Sequence, residues 1–302
     1  MTDQATRSPI LAVIILTKNE EPNLARCLSS FSSLPADVLV VDSGSTDRTV
    51  EIARAFGAVV LCHPWKNHSA QVNWAIEHLE TDAKWVARLD ADEHMTPGLV
   101  DELSRSLPIL PSDCTGLLVK RRGMFLGRWM KHGGMYPIWH LRFWRRGLAR
   151  CEDRWMDEHM ELVGGKAGRL KYDIVDENAK DLTSWTDKHN HYASHELLDM
   201  LNIKSSSAFR SQLDRQTAGK RWVKETLYSR SPLFLRAFAY WFLRYVLRCG
   251  FLDGKEGLVF HFLQAFWYRF LVDAKIMEHT MLERLPPEAL VPDQAPGRHS
   301  SR

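Results

Sequence analysis

Apolar and polar positions alternate in blocks along the first 119 residues, and the blocks predict strands and helices in turn. Leu11-Ala12-Val13-Ile14-Ile15-Leu16 is an unbroken β-prone run, the pattern of a strand buried on both faces of a parallel sheet. A polar turn over 17–23 follows it, and 23–31 reads as a helix. Val38-Leu39-Val40-Val41 is a second buried strand that ends at Asp42. After it comes the small-residue turn 43–47, with Ser45 or Thr46 placed to cap a helix over 47–56. A third strand over 58–61, a third helix over 68–79 and a fourth strand over 84–89 complete the alternation. Strands separated by helices of about 10 residues predict an α/β fold with a parallel sheet and right-handed crossovers.

In such sheets ligands sit outside the carboxyl ends of the strands. Three of those ends are polar: Thr17 to Glu20, Asp42 to Ser45, and Asp90 to Asp92. Extended backbone would send Asp90 and Asp92 to one face, where two carboxylates repel unless a cation lies between them. Mg²⁺ or Mn²⁺ bridging them to phosphate oxygens would use that repulsion; the alternative is a solvated acidic turn before the helix begun by Thr96-Pro97. No GxGxxG follows any strand, which removes the main support for a dinucleotide site.

Taken together, Val13-Ile14-Ile15-Leu16-Thr17-Lys18-Asn19-Glu20, Val40-Val41-Asp42-Ser43-Gly44-Ser45-Thr46-Asp47 and Leu89-Asp90-Ala91-Asp92-Glu93 resemble the motifs of family 2 glycosyltransferases. The resemblance implies a GT-A fold, a Rossmann-like nucleotide-sugar domain, and a metal-dependent, inverting transfer of one sugar, with UDP as the expected carrier. Beyond residue 120 the chain is similar to the bacterial branch that decorates lipopolysaccharide cores and exopolysaccharides, and the likeness runs to about residue 255. By this resemblance Thr17, Glu20 and Asp42, with the adjoining Ser43, hold the uracil and ribose. Asp90 meets the ribose or diphosphate and Asp92 binds the metal. Gln71 and Asn73 fall where members often carry an Arg-x-x-x-Asn-like pattern. Gln71 has no charge for a phosphate; Lys66 is a nearby candidate substitute, though on its own it reads first as a solvated surface lysine.

The region after 119 changes character. From Lys120 to Arg150 there are nine Lys or Arg residues and no Asp or Glu, interleaved with Phe125, Trp129, Tyr136, Trp139, Phe143 and Trp144. Cations with aromatic faces suit a phosphorylated glycan or lipid-diphosphate acceptor, and Trp129, Arg142 and Trp155 are the candidate acceptor contacts. The acidic cluster upstream would repel a polyanion, so nucleic acid is not expected as a partner. Arg154-Trp155-Met156-Asp157-Glu158-His159 offers the base that an inverting transfer needs. Glu158 matches the branch pattern best, Asp157 comes second, and His159 stays open. His191 and His195 are spaced i, i+4 but lack the internal Glu of a zinc protease motif, so they read as structural or acceptor-facing.

Residues 232–248 and 258–272 are apolar and aromatic, with Arg236, Arg244 and Arg248 on one helical arc of the first and His261, Gln264 and Arg269 on one arc of the second. Wide apolar faces beside narrow basic stripes predict a membrane-associated helical hairpin lying in the interface, contacting the membrane through 232–276; core capping or a dimer contact is the alternative. No apolar run reaches the 18 residues of a membrane span. The expected organisation is a GT-A domain over 8–200, a C-terminal helical region over 201–285 and a disordered tail over 286–302.

Whole-chain composition adds less. The 302 residues are 45% hydrophobic and 25% charged with a formal net charge of +3, which fits a folded chain without a bulk polyanion-binding charge. Five cysteines lack metal-site spacing and read as reduced thiols, and the polar first ten residues do not form a secretory signal, so a cytoplasmic location on the inner face of the plasma membrane is expected. Two rivals remain: a nucleotidyltransferase on a sugar phosphate, for which the chain has no Gly-rich triphosphate loop, and a catalytically silent membrane scaffold.

Overall fold

A computed structural model describes residues 8–152, 159–205 and 232–282. The predicted alternation is present: β1 Leu11–Thr17, α1 Glu21–Ser29, β2 Ala36–Asp42, α2 Thr49–Ala55, β3 Val59–Cys62, α3 His68–Glu77 and β4 Trp85–Asp90. β1 is buried along almost its whole length because layers cover both its faces. One layer, with Val13, Ile15, Leu24, Leu89 and Leu99, includes α1 and α4 (Pro97–Ser106); the other holds Ile14, Val41, Val86 and Trp144. Two helix starts differ from expectation. α2 begins after Arg48, with Asp47 rather than Ser45 or Thr46 accepting the Thr49 amide (3.0 Å), while Thr96 caps α4 as read.

The sheet is mixed rather than wholly parallel. Its order is β3-β2-β1-β4-β8-β6-β11-β5, with β7 on β6, where β5 is Glu93–Met95, β6 Cys114–Phe125, β7 Arg128–Trp129, β8 Trp139–Arg145 and β11 Lys166–Asp176. β1 to β4 pair in parallel, but β8 runs antiparallel to both β4 and β6 because it returns directly from β6 without a crossover helix. A small hairpin of β9 Ala149–Cys151 and β10 Met160–Leu162 packs on the second layer.

Beyond the sheet, α5 (Leu182–Ser205) leads to α6 (Leu235–Phe242), α7 (Gly254–His261) and α8 (Tyr268–Leu282). α6 continues into a π-helical turn over Leu243–Leu247, and a second π turn over Phe262–Trp267 joins α7 to α8. Among the described residues no helix is long and apolar enough to cross a membrane.

Candidate active site

The turns after β1 and β2 form one unit. Asn19 takes the left-handed conformation (φ 53°), which Asn tolerates better than most residues, and this turns its amide to Ser45 Oγ (2.8 Å) and its Oδ1 to the Thr46 amide (2.8 Å). Glu20 and Glu21 donate their amides to Thr49 and Asp47. Beneath lies Asp42, 2% exposed, which accepts from Thr17 Oγ1 (3.0 Å), from Ser45 Oγ and from the Gly44 and Ser45 amides (3.0 and 2.8 Å). Burial would raise its pKa, but these donors outweigh burial and hold it below the usual carboxylate range. Thr17, Asp42 and Ser43 therefore meet at one place, with the Asp42 oxygens engaged by the chain itself. Gln71, fully buried, donates to Ser43 Oγ (3.0 Å) and to the His63 carbonyl (3.1 Å), bracing the β2 and β3 ends.

Glu20 is held by Lys180 (2.6 Å) and Asn23 (2.7 Å). Lys180 belongs to the link between β11 and α5, which straps across the mouth of the site. In that link Glu177 pairs with Arg26 and donates its amide to the Asp92 carbonyl (2.9 Å), and Asn178 donates to Asp92 Oδ2 (3.1 Å).

Asp90 and Asp92 do not share a strand face. β4 ends at Asp90 and the chain turns at Ala91-Asp92, so the two-residue alternation no longer applies. Nor do the two carboxylates confront each other unscreened: Arg88 (3.1 Å) and Arg142 (2.9 Å) grip Asp90 and hold its pKa well below the ordinary value despite burial, with His68 adding to the effect. Arg142 corrects the expectation of an acceptor contact. It is 4% exposed and donates to Asp90 and Glu93 beneath the site. The physical reason is a bulge: Phe143 pairs with Leu117 and Leu141 with Leu118, so Arg142 is the extra residue and is re-aimed along the sheet. Burial, with the Asp90 charge, pushes Glu93 up to about 7 against the pull of Arg142.

Two residues without a sequence assignment join this group. Asp176 ends β11 beside Glu93 and pairs with Arg121 (3.2 Å); burial and the charges of Asp92 and Asp90 push it up to about 6. Lys188 on α5 lies 5.7 Å from the ring centre of Tyr192. Desolvation alone would lower its pKa, but Tyr192 and the carboxylates of Asp92, Asp176 and Asp90 outweigh it and raise it. A β-prone run ending in Asp, as at Asp42 and Asp90, is the signal that marks Asp176; the sequence carries none for Lys188.

Trp129 is half-buried, with Lys131 (4.3 Å) and Arg122 (4.6 Å) over its ring. Trp155, Asp157 and Glu158 lie outside the described residues. The hairpin that brackets them is anchored by Asn73, whose side-chain amide pairs with both backbone groups of Cys151 (2.8 and 3.0 Å). Among the described residues no three His, Cys, Asp or Glu side chains gather closely enough to hold a metal by themselves. The fit to Mg²⁺ or Mn²⁺, which commonly bind through one or two carboxylates, rests on Asp92, a half-buried carboxylate at the turn after β4.

The sequence model of Glycosyl transferase family 2 matches residues 12–174. The lipopolysaccharide core biosynthesis glycosyltransferase LpsC of Rhizobium meliloti is 28% identical over 287 residues, 91% of this chain and 95% of that protein. An uncharacterized glycosyltransferase of Rickettsia typhi is 40% identical over 93 residues, a stretch that spans 31% of this chain and 31% of the relative. The mannosyltransferase PcManGT from Pyrobaculum calidifontis, solved in complex with GDP-Man and Mn²⁺, superposes with a TM-score of 0.51 at 13% identity, covering 90% of this chain and 88% of that one. The shared fold is of the GT-A type, with a curled mixed sheet.

Proposed function

The chain belongs to glycosyl transferase family 2, and from that premise we propose that it moves one sugar from a nucleotide sugar, UDP-linked, to a glycan or lipid-linked acceptor of the lipopolysaccharide or exopolysaccharide kind. The observation that carries this reading is the convergence of Asp42, Asp90 and Asp176 at three strand ends with Asp92 in the turn after β4, knitted together by the turns around Asn19 and the strap at 177–180. Thr17, Asp42, Ser43 and Glu20 take the nucleoside side of the donor, with Gln71 bracing them and Asp90 next to the diphosphate. Asp92 would hold the divalent ion, which would supply positive charge beside the diphosphate. LpsC supports the choice of acceptor class, and the GDP-Man and Mn²⁺ of the mannosyltransferase support a nucleotide sugar with a divalent ion.

In the transfer, Glu158, or Asp157 in its place, takes the proton of the acceptor hydroxyl while that oxygen attacks the anomeric carbon. The bond from the anomeric carbon to the diphosphate breaks on the opposite face, giving inversion. The enzyme works from the inner face of the plasma membrane, held there peripherally by 232–276. The exposure of that region supports this part: 12 of the 22 large apolar side chains exposed among the described residues lie between Leu235 and Phe270.

A panel of nucleotide sugars with and without Mn²⁺ tests the reading by thermal stabilisation. The right donor at about 100 times its dissociation constant adds roughly 2.7 kcal/mol. Turnover then releases a nucleoside diphosphate. Release of inorganic pyrophosphate from a nucleoside triphosphate would instead identify a nucleotidyltransferase, and no stabilisation by any nucleotide sugar would overturn the proposal.

A further inference from the structure

A second group of charges stands on the sheet beside the donor site. Lys120 and Arg122 project from one face of β6 and share a single buried carboxylate, Asp173, at 3.1 and 2.5 Å; Tyr136 donates its hydroxyl to the same group at 3.1 Å. Arg122 and Lys131 also lie over the ring of Trp129, and Trp129 meets Tyr136 edge-on with centroids 5.0 Å apart. Lys120 lies 5.7 Å and Arg169 5.1 Å from the ring centre of Trp139. Four cations thus surround three aromatic rings and one carboxylate. Trp129 Nε1 is a buried donor with no protein partner.

The register locates this cluster relative to the chemistry. Val86 of β4, Trp144 of β8 and Gly116 of β6 lie abreast, and the space above Gly116 is filled by Leu162 of β10. Even-numbered positions of β4 and β6 therefore face the hairpin that brackets Glu158, and Asp90, Lys120 and Arg122 are all even-numbered. β8 lies between β4 and β6, and its Trp139 pairs with Lys120, so two strand spacings, about 10 Å, separate Lys120 from β4 on that face.

We infer that this cluster binds a phosphoryl group carried by the acceptor glycan, so that the acceptor is a phosphorylated saccharide. Aromatic faces suit the sugar rings, and three uncompensated cations match a phosphate monoester, which carries about −1.5 to −2 charges at neutral pH. The spacing puts that phosphate a short way along the glycan from the hydroxyl under attack. The inference rests on the glycosyltransferase reading for the word acceptor, but binding of a phosphorylated sugar is measurable without turnover.

The experiment is a ligand-observed NMR titration of the full chain with hexose phosphates, their neutral parent hexoses, inorganic phosphate, and vesicles of phosphatidylcholine containing phosphatidylglycerol. A Lys131→Gln/Arg169→Gln double variant removes two exposed cations and leaves the Asp173 pairs in place, so the fold is retained. At least one hexose phosphate should bind about tenfold or more tightly than its parent hexose. The double variant should lose that preference while its stabilisation by nucleoside diphosphate and Mn²⁺ stays that of the wild type. Equal binding of phosphorylated and neutral sugars, or a preference that survives the double substitution, overturns the inference. So does inorganic phosphate binding as tightly as every hexose phosphate, which would mean a simple anion site. Displacement of hexose phosphates by the vesicles that vanishes in the double variant would assign the cluster to lipid phosphate and overturn the acceptor assignment. Loss of nucleotide binding in the wild type, by contrast, would strike the function proposed above and leave the phosphosugar result standing.

Discussion

Asp90 and Asp92 belong to one motif but meet different surroundings. Asp90 is held by Arg88 and Arg142, whereas Asp92 is half-buried and takes one side-chain hydrogen bond, from Asn178. Asp92→Asn should therefore abolish divalent-dependent transfer and cost less than about 1 kcal/mol of stability, read from activity with Mn²⁺ and a melting curve. Near-normal transfer would remove Asp92 from the metal site. Arg142→Met should do the opposite to stability. It leaves Glu93 and Asp90 without their shared guanidinium, and breaking a buried pair in this way costs about 3–5 kcal/mol. Glu93 is already pushed up to about 7, and losing Arg142 raises it further. A carboxyl whose folded pKa lies above its unfolded value loses stability as pH rises through the folded value, so denaturant melts should show a larger deficit at pH 8 than at pH 6. At the third position, Glu158→Gln should lower turnover by at least about 10²-fold with donor affinity unchanged; if Asp157→Asn is the severe variant, the two exchange roles. Asp90, Asp92 and Glu93 were legible in the sequence because they end or follow an apolar run. The role of Arg142 was not, because a bulge between β6 and β8 leaves no mark in a stretch where basic and aromatic residues already alternate.

Periodicity identified the elements of the first half well, since β1 and β4 are buried along almost their whole length, β2 over its second half, and each helix begins after a polar turn, though β3 at the sheet edge is largely exposed. It did not find β11 or its Asp176, whose partners β5 and β6 are remote in sequence. It also missed how the C-terminal helices grip the loop after β7. His132 pairs with Asp253 through its ring (2.6 Å) and its amide (2.9 Å), and Arg244 donates to the Gly133 carbonyl (2.9 Å). His261, read from sequence as part of a polar arc, is fully buried and wedged between two glycines. A Cβ at Gly133 would come within 2.1 Å of its ring, and one at Gly250 within 2.6 Å. Burial, reinforced by Arg244, brings the His261 pKa down from 6.5 to about 4, so the ring is neutral when folded. Between those two values the unfolded chain binds the extra proton, and stability therefore falls as pH drops from about 6.5 toward 4. Thermal melts of the wild type and of His261→Leu across that range should show the steeper acid loss in the wild type. Parallel pH profiles would show that His261 does not titrate on unfolding.

At the scale of the whole molecule, the C-terminal helices are arranged the reverse of an ordinary amphipathic pair. Two of the three arginines of their first basic arc face inward while Arg248 is exposed: Arg236 is 5% exposed and bonded to Asp273, and Arg244 is 7% exposed over the Gly133 loop. Their apolar side chains face outward instead, among them Leu235 at 60%, Leu247 at 64% and Leu252 at 53%. The narrow basic stripe was visible in the sequence, but the direction it points was not, because its partners are single remote residues such as Asp273 and Gly133. An outward apolar face of this extent marks an interaction surface. Exposed Arg128 donates to the Leu252 carbonyl, and exposed Arg248 and Lys255 flank Phe251 and Leu252 along the chain, which suits an anionic bilayer better than a second apolar face. Deleting 232–276 would also take Asp253 from His132, so the informative variant replaces Leu247, Phe251 and Leu252 with Ser and leaves the clamp intact. Burying each such side chain contributes about 1.5–3 kcal/mol at most, so the triple change should weaken vesicle binding well beyond tenfold. In flotation with vesicles containing phosphatidylglycerol, the wild type should rise with the lipid at low salt and bind less as salt screens the rim. The triple variant should stay in the dense fraction with an unchanged melting temperature. A wild type that stays there too at low salt would show that another copy of the chain or another protein covers this face, and sedimentation of the wild type against the variant would tell the first of these from the second.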